Sequence, residues 1–262
     1  MEPDVSWTGG LTRSRWLGRR YLFRVAGMNV PSYTAMLYLG CVFGVFAGAS
    51  VAGAAGLAES RVALAAVVLL VPALAGARLL YVVQHLDQFR GDLRSVVRRS
   101  AGGSALYGGL VASIAVSVPL LYLWNIPFWG FWDAASVTML VGLIFTRFGC
   151  LMHGCCVGRG TSGPFGVWLP DHLGVWRRRF PTPLLEAAWA AVLLGVALAV
   201  RPELPFPGAL FACVVAAYAA GRLMLEPTRE RDRTPNGLRA NAALSIALLA
   251  AAAAVLVIGW TR

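Results

Sequence analysis

Residues 131–151 read FWDAASVTMLVGLIFTRFGCL. Apart from Asp133 and Arg147 the run carries no charge. A helix needs roughly 20 such residues to cross a hydrocarbon layer of about 30 Å. Strands of a membrane barrel would instead alternate apolar and polar residues in segments of about ten, and this run does not alternate. Comparable runs lie at 32–57, 62–83, 104–124, 183–200, 206–226 and 240–260. The pattern predicts an all-α integral membrane protein of about seven transmembrane helices, with 1–262 as a single polytopic domain.

The composition agrees. Of 262 residues, 58% are hydrophobic and 13% are charged, and the mean hydropathy is +0.67. A soluble domain covers its surface with about 25% charged residues, so half that supply excludes a water-soluble globule of this size. All 23 basic residues are arginine. The net charge of +11 suits anionic lipid headgroups of a bilayer. Nucleic acid is not expected as a partner, because the charge sits in short loops between spans. The five cysteines are too few for a disulfide framework, and Cys41 and Cys213 lie within spans as packing residues.

Between the spans, residues 1–30 read as a polar, arginine-bearing tail. Residues 84–103 read as an amphipathic segment lying along the membrane interface. Residues 152–182 form a Gly-, Pro- and Arg-bearing connection too long for a tight turn, a size associated with function.

Charges inside spans are costly and face a cavity or a partner. Here they are Arg78, Asp133, Arg147 and Arg222, with Glu186 near the start of the fifth span and Glu226 at the end of the sixth. Arg222 and Glu226 are four apart and can pair on one helix face. Asp133 or Glu226 could neutralise an arginine structurally. The arginines nevertheless outnumber the carboxylates near them, and a surplus guanidinium inside a membrane calls for an anionic ligand such as a phospholipid phosphate.

Several motifs, in order and spacing, resemble the prolipoprotein diacylglyceryl transferase family. Pro31-Ser32-Tyr33-Thr34-Ala35-Met36 resembles its early tyrosine segment. Gly76-Ala77-Arg78-Leu79-Leu80-Tyr81 resembles its G-[GA]-R-x-x-Y motif, and Gly102-Gly103-Ser104-Ala105-Leu106-Tyr107-Gly108-Gly109 its glycine-rich loop. Arg147-Phe148-Gly149 resembles the start of the signature G-R-x-G-N-F-x-N-x-E. Pro181 with Glu186 resembles P-x-x-x-x-E, and Tyr218, Arg222, Glu226 and Arg229 resemble Y-x-x-x-R-x-x-x-E-x-x-R.

The resemblance implies transfer of the diacylglyceryl group of phosphatidylglycerol, or another anionic phospholipid, to the lipobox cysteine in the signal peptide of a prolipoprotein. No cofactor is expected. Arg147 and Arg222 would be catalytic, stabilising charge on the departing phosphate, with Tyr107 and Glu226 beside them. Tyr33, Arg78, Tyr81, Tyr218 and Arg229 would bind substrate, together with Cys150, His153, Cys155 and Cys156. The location implied is the bacterial inner membrane with a periplasmic active face. The arginine distribution points the other way. The tail and the second, fourth and sixth loops hold most of the arginines, which the positive-inside rule assigns to the cytoplasm.

Two positions depart from the family pattern. Tyr107 stands where the motif has histidine, and a phenol with a pKa near 10 is a poor base at neutral pH. Cys150 stands where the signature has asparagine, and His153 and Cys155 replace further signature residues. Three readings of Cys150, His153, Cys155 and Cys156 stand open. They could be small packing residues, or a thiol activated by His153 and the arginines. A metal site is disfavoured, since adjacent cysteines match zinc spacing poorly, and no metal is expected. A divergent paralogue with the same lipid donor but another acceptor or a reactive-cysteine step, and a non-catalytic phospholipid-binding or transport protein, are the alternative functions.

Overall fold

The computed structural model describes residues 17–19, 21–25, 28–84, 86, 106–171, 174–229 and 235–261. Seven α-helices occupy these residues: α1 Ser32–Gly53, α2 Glu59–Gln84, α3 Leu106–Leu123, α4 Phe128–His153, α5 Thr182–Val200, α6 Ala209–Leu225 and α7 Pro235–Trp260. Six are long and apolar enough to cross a membrane, and α3 is the shorter apolar exception. The chain is an integral membrane protein. The interfacial segment expected at 84–103 falls almost wholly outside the described residues.

Helix α1 packs most extensively on α4, α2 on α3, α4 on α5, and α6 on α7. Small residues permit these approaches, because in lipid helix association depends on close backbone packing. Gly40, Gly44 and Gly48 line one face of α1 at four-residue spacing. A methyl group at Gly44 would stand 2.7 Å from the carbonyl oxygen of Thr138, and one at Gly40 would stand 3.0 Å from Cβ of Phe145. Gly108 and Gly109 open α3 against Gly76 and Ala73 of α2. The glycine pair thus serves close helix approach.

Two short antiparallel hairpins cover one end of the bundle. In one, β1 (Tyr21–Val25) pairs with β2 (Met28–Pro31), so the last part of the expected tail is ordered structure. In the other, β3 (Val167–Pro170) pairs with β4 (Trp176–Arg179) inside the long connection after α4. Gly18, ahead of β1, lies against Pro170 at the end of β3. At the opposite end of α4 the chain builds an apolar core from Phe131, Trp132, Leu121 and Ile126. Trp132 anchors it by donating its indole N–H to Ser117 Oγ at 3.0 Å.

Candidate active site

Because successive helices alternate in direction, the N-terminal ends of α1, α3 and α5 share one side with the C-terminal ends of α2, α4 and α6. Every candidate site residue named from the sequence belongs to that side. Arg147 stands near the end of α4, Glu186 in the second turn of α5, and Arg222 in the last turn of α6, where the helix dipole favours a cation.

Glu186 is the organising residue. Its side chain is 5% exposed, and three guanidinium groups converge on it. Arg222 Nη1 donates to Oε1 at 2.8 Å, and Arg229 Nη1 donates to the same oxygen at 2.6 Å. Arg147 Nε lies 2.5 Å from Oε2, at an angle that leaves its buried N–H without a hydrogen bond. A carboxylate that holds Arg222 is thus on the neighbouring helix, in addition to the Glu226 that the sequence offered. Glu226 itself opens a 3-10 turn, Glu226–Thr228, beyond α6. Three cations on one carboxylate leave a local excess of +2 in a place shielded from water, where a charge imbalance is poorly screened.

The long connection holds Arg229 in position. Its first residues pair with the turn after α6 and with β4. Arg159 N–H donates to the Thr228 carbonyl and Gly158 N–H to the Phe180 carbonyl, each at 3.0 Å. Arg229 joins Gly158 in a bridge. Thr182 Oγ1, at the start of α5, lies 3.2 Å from Thr228 Oγ1. Within the connection, Arg179 Nη2 contacts Asp171 Oδ2 at 3.0 Å, and Arg178 donates to the Gly163 and Gly166 carbonyls. Several arginines that weigh in the charge count are therefore structural.

Tyr33 is at the same place. Gly149 is so close to the Tyr33 backbone that a methyl group there would stand 3.2 Å from Tyr33 Cα. Tyr33 and Tyr218 are both within electrostatic reach of Arg147. Arg78 and Tyr81 lie on α2 in a separate helix pair, the guanidinium carbon 5.6 Å from the ring centre. Tyr107 sits in the first turn of α3, and its side chain is outside the described residues.

The three cysteines after Arg147 come together. Their sulphurs all lie within 4.8 Å of one another, Cys150 buried, Cys155 half-buried and Cys156 exposed. His153 is not part of this group, and its Nδ1 is buried without a hydrogen-bond partner. Cys156, beyond the span, is held far below the ordinary thiol range by hydrogen bonds from Cys150 and Cys155, with Arg147 and Arg222 adding. Cys155 is pushed up by its hydrogen bonds to Cys150 and Cys156 and by burial. For Cys156 the neighbouring thiols are the first cause and the arginines a further one.

Asp133 does not neutralise an arginine by direct pairing. It accepts the backbone N–H groups of Gly208 at 2.7 Å and Phe211 at 2.9 Å, capping the start of α6. It lies about 21 Å along the helix axis from Arg147.

Sequence reasoning named Glu186 but left it out of the site. The signal was present in the arginine surplus, since a carboxylate within reach of several buried arginines is their natural anchor.

A membrane bundle with a water-shielded surplus of guanidinium groups at one end defines a polytopic membrane protein equipped to hold an anionic group. The model of the prolipoprotein diacylglyceryl transferase family matches residues 20–258, and the chain belongs to that family. Relatives named phosphatidylglycerol–prolipoprotein diacylglyceryl transferase include one from Shouchella clausii, 28% identical over 90% of this chain and 88% of that protein. One from Lactiplantibacillus plantarum is 32% identical over 72% of this chain and 70% of that protein. One from Rhodopirellula baltica is 33% identical over 55% of this chain and only 30% of its own length. Family membership makes the chain a transferase.

Proposed function

We propose that this protein transfers the diacylglyceryl group of phosphatidylglycerol to the lipobox cysteine thiol of a prolipoprotein in the bacterial inner membrane. The observation that carries the reading is the convergence of Arg147, Arg222 and Arg229 on the single carboxylate of Glu186. An arginine inside a bilayer costs about 3 kcal/mol on insertion scales. Keeping three there beside one carboxylate is reasonable when a phosphate completes the charge balance. Glu186 holds the guanidiniums oriented before the lipid arrives, so little reorganisation accompanies the reaction.

In the reaction, the acceptor sulphur attacks the glyceryl carbon next to the phosphate. A C–S bond forms, the C–O bond breaks, and its electron pair leaves on the phosphate oxygen. Arg147 and Arg222 stabilise that developing charge through planar, bidentate donors. Tyr33, Tyr218, Arg229 and Glu226 border the headgroup, Arg78 and Tyr81 offer a second lipid contact, and Tyr107 is a hydrogen-bond donor to phosphate. We assign the site to the periplasmic face. The arginines that argue against this in a simple count include Arg159, Arg178, Arg179 and Arg229, which the fold itself engages.

The test is reconstitution of the protein in phosphatidylglycerol vesicles with a lipobox peptide. The expected products are a diacylglyceryl thioether peptide and glycerol phosphate in equal amounts. Absence of both ends the proposal. A fluorescent protein fused after Trp260 should mature and emit if the site side is periplasmic, because the far end of α7 is then cytoplasmic. A dark fusion reverses the orientation.

A further inference from the structure

The reaction proposed above needs a thiolate, and the groups gathered on Glu186 do not make one. The guanidiniums keep their protons at any physiological pH, and Glu186 is occupied by three of them. Beside them stand the three sulphurs of Cys150, Cys155 and Cys156.

Their arrangement is built by the way α4 ends. Gly154 terminates the helix in the left-handed region at φ 78°. Cys156 also takes a positive φ, 59°, which is uncommon for a residue other than glycine. This reversal folds the chain back over the last turn. Cys155 N–H donates to the Cys150 carbonyl at 3.1 Å, and its sulphur lies 3.8 Å from the same oxygen. No Cβ would fit at Gly154, because the Asp171 and Pro170 carbonyls at the turn end of the β3–β4 hairpin close over it at 2.8 and 3.0 Å. Strained backbone of this kind collects at functional sites.

We infer that Cys150, Cys155 and Cys156 form an open three-thiolate site for a zinc-class divalent cation whose fourth position receives the acceptor thiol. The inference rests on the diacylglyceryl-transfer reading. Zinc–sulphur bonds of about 2.3 Å put tetrahedral ligand sulphurs about 3.8 Å apart. A cluster already within 4.8 Å closes on the ion with shifts of about 1 Å or less. Three protein ligands and one free position are the pattern of catalytic zinc sites. The exposure gradient leaves the free position on the Cys156 side, where a substrate can reach it.

The step balances. The acceptor R–SH binds the cation and releases its proton to water, since a coordinated thiol is deprotonated. The bound sulphur then attacks the glyceryl carbon, and the C–O electron pair departs with the phosphate. The neutral thioether is a weaker ligand and leaves, reopening the position. The requirement for C-x₂₋₄-C spacing that disfavoured a metal from sequence concerns closed structural sites. Here the sulphurs meet through a chain reversal.

The test uses the full-length protein in detergent, treated with a chelator and titrated with Co²⁺ under reducing conditions. The expected result is one equivalent bound, with thiolate-to-cobalt charge transfer and tetrahedral visible bands. The exposed-site variant Cys156→Ser should lose these bands while keeping its helical spectrum. A lipobox peptide should shift the visible bands, and its Cys→Ser version should not. Zinc removal should lower the transfer rate at pH 7 about 30-fold, the factor separating a thiolate from a free thiol of pKa near 8.5. Added zinc should restore it. Absence of the bands, or full transfer by protein stripped of metal, overturns the inference. If the bands and the peptide shift appear but no sample ever forms a thioether, the metal site stands and the diacylglyceryl reading fails.

Discussion

The two ends of α4 each carry a charged residue in an apolar setting, and they use it in opposite ways. At the start, Asp133 meets the N–H groups of Gly208 and Phe211, next to a core of tryptophan and phenylalanine. Its bonding is complete within the protein. Near the other end, Arg147 shares one carboxylate with Arg222 and Arg229, and its own Nε–H makes no hydrogen bond. A buried charge whose partners balance it holds a fold together. A buried surplus costs stability until a ligand of opposite charge arrives, so the imbalance marks the functional end.

The comparison breaks first at the arginines. Replacing Arg147 or Arg222 by alanine should lower the turnover of phosphatidylglycerol in vesicles about 10²–10³-fold, the loss seen when one donor to a developing anion is removed. Asp133→Ala should leave turnover within a few-fold. Equal losses at the two ends would erase the distinction.

Next comes Glu186→Gln. Removing the carboxylate shared by three largely buried guanidiniums should cost about 3–5 kcal/mol of stability, read as a lower unfolding midpoint in detergent. Anionic phospholipid should recover part of that midpoint, and zwitterionic lipid should not. A variant as stable as the parent would mean that Glu186 does not organise the cluster.

The smallest effect belongs to Asp133→Ala, which leaves two N–H groups at the start of α6 without their acceptor. About 1 kcal/mol is expected, as for loss of a helix cap. This midpoint should not respond to anionic lipid. A lipid response there would show that the two ends are coupled.

The sequence was sufficient for the membrane class and for most of the helices, because runs of apolar residues have nowhere to go but lipid. It also named the arginines, since charge inside such a run is conspicuous. The hairpin Tyr21–Pro31 was missed: it alternates too briefly to stand out from a polar tail. The pairing of Arg222 with Glu186 was not legible, because a four-residue spacing speaks only for neighbours on one helix. Three matters waited for the tertiary structure: the place of Glu186 as common anchor, the role of Asp133 as a cap for a distant helix, and the meeting of three sulphurs. Each depends on distances between segments far apart in the chain or on a backbone reversal. Hydropathy and spacing carry local periodicity and burial, whereas such meetings are decided by how the helices pack.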